Sequence, residues 1–128
     1  MIVSLPSITL TACDHSRLEK LALSSAQRGN KYAQFLLTEI RRAKIISEDA
    51  YNVKSLVRVG SWVAYWTSRC ISRKTVRLMW PEDITSDPSH LSVLSNLGAA
   101  LVGLRPGDRM PYLVDGDMDV LTVESVNP

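Results

Sequence analysis

The residues that could do chemistry in this chain are few and poorly grouped. His15 and His90 are the only histidines, and neither belongs to a HExxH pair or any other ligand-spaced set. Cys13 and Cys70 lie far apart with no CxxC partner, which reads as two reduced thiols rather than a bridge or a metal pair. Asp115-Gly116-Asp117-Met118-Asp119 begins like a calcium loop. Such a loop needs glycine at its sixth position and a glutamate at its twelfth, and this chain has Val120 and Val126 there. Glu82-Asp83 follows a proline and reads as a solvated turn. No GxSxG elbow is present, and Gly98, Gly103 and Gly107 are too widely spaced for a phosphate loop or a dinucleotide fingerprint. Trp62, Tyr65 and Trp66 beside Arg58, Arg69 and Arg73 have the composition of a stacking platform for single-stranded nucleic acid. Aromatics in a strand more often belong to a core, and they are read that way here. The sequence therefore offers no catalytic residue, no metal ligands and no cofactor site, and it predicts a protein that is not an enzyme.

The surrounding elements are those of a small α+β protein. At 128 residues, 45% of them hydrophobic and 22% charged, the chain suffices for one real core without disulfides. No apolar run approaches the roughly 18 residues of a membrane span. Met1–Leu10 lacks the basic start and apolar centre of a signal peptide, so a cytoplasmic protein is expected. The net charge of +2 is unevenly spread. Residues 1–48 carry seven Lys/Arg against four Asp/Glu, a balance of +3, and residues 49–128 carry eight against nine, a balance of −1. A basic N-terminal part suits an acidic partner or a place near nucleic acid.

Thr11 and Asp14 have the spacing of a capping box, and Leu18, Leu21 and Ala22 form the stripe of a helix running to about Gln27. Arg28-Gly29-Asn30-Lys31 breaks it, and Tyr32, Phe35, Leu36, Ile40 and Ala43 mark a second helix. Together they predict a short antiparallel helical hairpin over residues 1–48. After the polar stretch 47–52 the period falls to two, at Val57 to Trp66, at Thr75 to Trp80, at Arg109 to Val114 and at Val120 to Val126. Pro111 marks an edge strand, and Asp115-Gly116 a tight hairpin. An antiparallel sheet of four or five strands with one short helix is expected over 53–128.

The best-defined stretch is Leu91–Asp108. Leu91 and Val93 alternate as in a strand, and Ser95 is placed to cap a helix whose Leu97, Ala100, Leu101 and Leu104 recur at helical spacing. Gly103 stands where that helix must stop, and Arg105-Pro106-Gly107-Asp108 fits a type II turn. Leu97 and Leu101 are expected in the core.

This stretch, with Ser92-Val93, Leu97-Gly98-Ala99-Ala100-Leu101-Val102-Gly103-Leu104 and Gly107-Asp108, resembles the C-terminal domain of Gre-type transcription elongation factors. Trp80-Pro81-Glu82-Asp83, Gly98-Ala99-Ala100-Leu101 and Leu36–Ala43 are similar to the Rnk branch, named as regulators of nucleoside diphosphate kinase. The resemblance implies an FKBP-like C-terminal fold and docking on bacterial RNA polymerase near its secondary channel. It places the polymerase-contacting positions at Ser92, Leu94 and Asn96, with Ser92 and Leu94 on an outward face. In Gre factors, acids at the tip of a long coiled coil help hold the magnesium that promotes transcript cleavage. Here the arm spans only about 25 Å. Its tip, Gln27-Arg28-Gly29-Asn30-Lys31, has no acid between Glu19 and Glu39. A hard dication needs oxygen ligands, which Arg28 and Lys31 do not supply. The expected function is thus non-enzymatic regulation of transcription, with Arg28 and Lys31 facing the polymerase, no membrane, no small-molecule substrate and no cleavage. An FKBP-like prolyl isomerase or chaperone, and a direct regulator of a nucleoside diphosphate kinase, stand as the alternatives. The oligomeric state is left open.

Overall fold

A computed structural model describes residues 5–127; Met1–Ser4, part of the N-terminal stretch read above, and Pro128 lie outside the described residues. Strand β1 (Thr9–Thr11) leads into helix α1 (Ala12–Gln27), which turns back as α2 (Lys31–Arg42) and ends in strand β2 (Lys44–Ile46). The Thr11 hydroxyl accepts from the Asp14 amide at 3.3 Å and the Asn30 side chain from the Tyr32 amide at 3.0 Å. Each helix therefore starts with a satisfied first-turn donor. The stripes foreseen in the sequence meet: Leu18 and Ala22 of α1, with Leu36 and Ile40 of α2, are fully buried.

β1 and β2 pair in parallel, Thr9 opposite Lys44, and Lys44 donates to the Ile8 carbonyl at 2.9 Å. Strands of three residues leave almost no periodic signal, so this sheet is not legible in the sequence.

The second sheet holds β3 (Trp62–Thr67), β4 (Lys74–Met79), β5 (His90–Ser92), β6 (Arg109–Val114) and β7 (Asp117–Val126), in the order β5-β4-β3-β7-β6. It is mixed rather than wholly antiparallel, because β4 and β5 run parallel. A tight hairpin cannot join parallel neighbours; the longer connection over Trp80–Ser89, with a single 3₁₀ turn at Pro81–Asp83, supplies the reach. The first strand also starts later than the alternation suggests. A turn closed by the Ser61 amide on the Arg58 carbonyl at 2.9 Å cuts Val57 and Val59 away from it. Val57 is instead buried and exchanges backbone bonds with Leu104 and Gly103. A register shift of β3 against β7 at Ala64/Tyr65 leaves Glu124 of β7 as the extra residue; Val63 and Tyr65 join the core cluster, and Ala64, on the opposite face of β3, is buried as well. Pro111 does lie on an edge strand, and Asp115-Gly116 does turn β6 into β7.

Helix α3 (Asn96–Leu101) and the helical hairpin cover one face of this sheet. Leu18, Leu36 and Ile40 share a single buried cluster with Val63, Leu78, Leu101, Met110 and Leu121. Leu101 is fully buried as expected, whereas Leu97 is half-buried and packs at the margin of that cluster. With only six residues, α3 turns Gly98 through Leu101 inward and leaves Leu97 at the rim.

Candidate partner-binding site

The block from β5 to α3 is built by short-range contacts. The Ser95 hydroxyl donates to the Ser92 carbonyl at 2.6 Å and accepts from the Gly98 amide at 3.0 Å, fixing the strand-to-helix turn. A Cβ on Gly98 would run into the Ser92 carbonyl oxygen, so this crossing demands glycine although the backbone there is ordinary helix. Gly103 follows with φ +84°. It gives its amide to Val57 at 2.9 Å and accepts the Thr9 amide at 3.0 Å. One glycine thus joins the block to both the pre-sheet segment and β1.

Against this frame the expected contact residues take distinct places. Ser92 is half-buried, and its hydroxyl accepts from the Leu94 amide at 3.1 Å. The strand alternation places Leu94 outward. In the structure it is half-buried and packs at the margin of the core, because the chain has already left β5 and entered the capping turn. The Asn96 amide donates to the Leu113 carbonyl of β6 and occupies a backbone acceptor on that edge strand. Arg28 and Lys31 are exposed at the hairpin turn, with the Lys31 ammonium 5.2 Å from the Tyr32 ring centroid.

The structure brings two of these five together. Lys31 and Asn96 line one cleft of about 540 Å³ between the hairpin turn and the β6–β7 turn, walled by Tyr32, Phe35, Leu113 and Met118. Tyr112 also faces it. Burial, then the nearby Asp119 charge, pushes its phenol up to about 12, so it stays a neutral hydroxyl at any physiological pH. Arg28, Ser92 and Leu94 lie outside this lining.

The position of the hairpin depends on residues that local pattern does not reveal. Arg58 reaches from the C-terminal part to Asp14 at 2.8 Å and to Glu48 at 3.0 Å. Arg17 of α1 bonds Glu82 at 2.7 Å and lies 3.9 Å from the Trp80 ring centroid. The Thr11 hydroxyl, the Cys13 amide and the Arg58 charge hold the Glu48 carboxyl below its ordinary range. Hydrogen bonding to Asp14 holds the Arg58 guanidinium in its charged form, above its already high range. The hairpin therefore lies against its own sheet. No sequence spacing marks these pairs, since their partners are far apart along the chain.

Among the described residues, no three His, Cys, Asp or Glu side chains gather closely enough to hold a metal ion. The hairpin turn presents guanidinium, ammonium and amide groups, a donor set suited to anions rather than to a hard dication. No helix among the described residues is long and apolar enough to cross a membrane.

Comparison with known proteins agrees with this architecture in both halves. Residues 6–46 match the family model described as the Rnk N-terminus, and residues 52–128 match that of the transcription elongation factor GreA/GreB C-terminal domain. The regulator of nucleoside diphosphate kinase of Escherichia coli K12 is 31% identical over 129 aligned positions, spanning 95% of this chain and 92% of that one. A GreA/GreB-type elongation factor from Nitrosomonas europaea superposes with a TM-score of 0.74 at 22% identity, over 96% of this chain and 99% of its own. Thermus aquaticus Gfh1 superposes with a TM-score of 0.50 at 18% identity, over 95% and 99% of the two chains. These two likenesses concern the fold.

Proposed function

The chain belongs to the Rnk family, with its Gre-type C-terminal domain, and from that premise we propose that it is a regulator of transcription that docks on RNA polymerase and does not promote transcript cleavage. The observation that carries this reading is the hairpin turn. A Gre-type domain is joined to an arm whose apex, Gln27 to Lys31, offers cations where metal-assisted cleavage requires carboxylates. The arm is also short, about 24 Å for the 16 residues of α1 and about 18 Å for the 12 of α2. Arg58 and Arg17 hold it against the sheet, so it presents a fixed blunt prong rather than a long probe.

Docking is assigned to the surface around Ser92, Leu94 and Asn96, continued by Lys31 across the cleft and by Arg28 at the turn. Leu94 contributes the apolar part of this contact through the portion of its side chain left accessible. Chains of this type would compete with cleavage-competent factors for one polymerase site. Co-purification of the chain with isolated polymerase tests the proposal. Capture at low salt, weakened by Leu94→Asp and by Arg28→Glu with Lys31→Glu, is the expected result. Absence of capture, or capture indifferent to all three substitutions, would refute it.

The name of the Escherichia coli relative favours a second reading, direct regulation of a nucleoside diphosphate kinase. Stoichiometric co-elution with that kinase in the absence of polymerase would favour it over the first.

A further inference from the structure

We infer that the outer face of the five-stranded sheet, opposite the helices, is a binding platform for single-stranded nucleic acid. Strand alternation puts Trp62, Ala64 and Trp66 of β3 on this face, where Ala64 is fully buried and the two tryptophans supply the accessible surface. Arg77 stands opposite Trp62, Thr75 opposite Ala64, Thr122 opposite Trp66, and Arg109 opposite Thr122. Both helical layers lie on the other side. The two tryptophans are four residues apart on one strand, so their Cα atoms stand about 13 Å from each other along it. Trp62 is 37% exposed and Trp66 half-buried. The Arg77 guanidinium lies 5.8 Å from the Trp62 ring centroid. The third tryptophan, Trp80, is already stacked by Arg17 and is not part of this surface.

The charges around these rings are of one dominant sign. Arg77 and Arg109 share the face, Arg73 precedes β4 on the same parity, and Arg69 stands in the β3–β4 loop. Among the described residues, two of these arginines are paired, over long and exposed contacts: Arg69–Asp117 at 3.5 Å and Arg73–Glu124 at 3.4 Å. Such pairs exchange readily for other anions. The C-terminal part is weakly acidic as a whole, so this local excess is a matter of arrangement rather than composition. Aromatic faces accept bases of any sequence, and flanking arginines follow the phosphates. A second copy of the chain fits poorly, because a two-fold contact through this face would bring one arginine-bearing surface against an identical one. The hydroxyls of Thr122 and Ser125, closed off on this face without a hydrogen-bond partner, add no polar readout, which agrees with a platform indifferent to sequence.

The test is a fluorescence titration of the full chain with a twelve-nucleotide oligouridine and, separately, with a blunt DNA duplex of equal charge, each at several salt concentrations. Oligouridine should quench the tryptophan emission, and the duplex should bind more weakly. Trp62→Ala with Trp66→Ala should weaken oligouridine binding at least about tenfold. Arg77→Glu with Arg109→Glu should lower the salt slope by roughly 1.4, the share of two phosphate contacts. If the double tryptophan variant does not fold, the arginine pair carries the test, with Arg109→Glu, at an exposed position, read separately from the half-buried Arg77, whose Nε also donates to the Gly60 carbonyl at 3.2 Å. Equal affinity for the duplex, binding indifferent to the arginine pair, or self-association through this face by sedimentation would each overturn the proposal. It stands apart from polymerase docking: Leu94→Asp should leave oligouridine binding unchanged.

Discussion

The block Leu91–Asp108 and the helical hairpin Thr9–Ile46 are held in place by different means. In the block the determinants are local: the Ser95 cap, the Gly98 crossing over the Ser92 carbonyl, the turn closed by the Asp108 amide on the Arg105 carbonyl at 3.0 Å. The hairpin is tied from a distance by Arg58, by Arg17 and by the pairing of β1 with β2 and with Gly103. A partner that grips the block meets a preset surface. The hairpin keeps its place through the core it shares with the sheet and through partly exposed pairs that salt and pH can weaken, and the charged groups of its accessible turn are cations. The block is thus set by close local crossings, and the hairpin by a core it shares with the sheet together with ion pairs at its margin.

The largest effect should erase the difference between the two regions, because both feed one core. Leu101→Ala in the block and Leu18→Ala in the hairpin should each cost about 2–5 kcal/mol, in a single transition by denaturant titration. Two separated transitions would show that the regions fold independently. Gly98→Ala should come next, at about 3 kcal/mol, since added volume meets backbone that cannot yield. An unchanged Tm for that variant would mean that the close crossing is not present. Arg58→Met should cost only about 1 kcal/mol, as its pairs are partly solvated. It should nevertheless speed amide exchange in α1 more than in α3, and equal effects on both would break the distinction.

The smallest effect is the pH dependence of the tether. Glu48 is held below its unfolded value, so its contribution is complete above about pH 4.5 and fades as pH falls through the lowered native value. Glu48→Gln should flatten the acid side of the stability curve by lowering stability near neutrality, with the variant and the parent chain converging at acid pH. A loss of stability at pH 7 that grows with added salt would contradict this origin.

This contrast also explains what the sequence made legible. Ser95, Gly98, Gly103 and the turn at Pro106-Gly107 act within a few residues, so their types and spacing announce the block. The Thr11 cap and the stripes of α1 and α2 are local as well, and both helices fall where periodicity places them. The docking of the hairpin rests on Arg58–Asp14, Arg17–Trp80 and Thr9–Gly103, pairs that no local pattern joins. The parallel entry of β5 depends on a long connection, and the register shift between β3 and β7 on one extra residue, Glu124, in β7. Of the candidate site, the cationic turn was legible, whereas the cleft joining Lys31 to Asn96 exists only once the hairpin is docked. Removing residues 1–48 would also strip Leu18, Leu36 and Ile40 from the core. Substitutions at the turn are therefore the better probe of the prong.

The most direct trial uses backtracked elongation complexes with end-labelled RNA, magnesium and a cleavage-competent Gre factor. Added alone, the chain should bind the complexes and leave the RNA full-length. Added in excess over the Gre factor, it should suppress cleavage, and Leu94→Asp should abolish that suppression. Shortened RNA produced by the chain alone, or undiminished cleavage at saturating chain, would contradict the account.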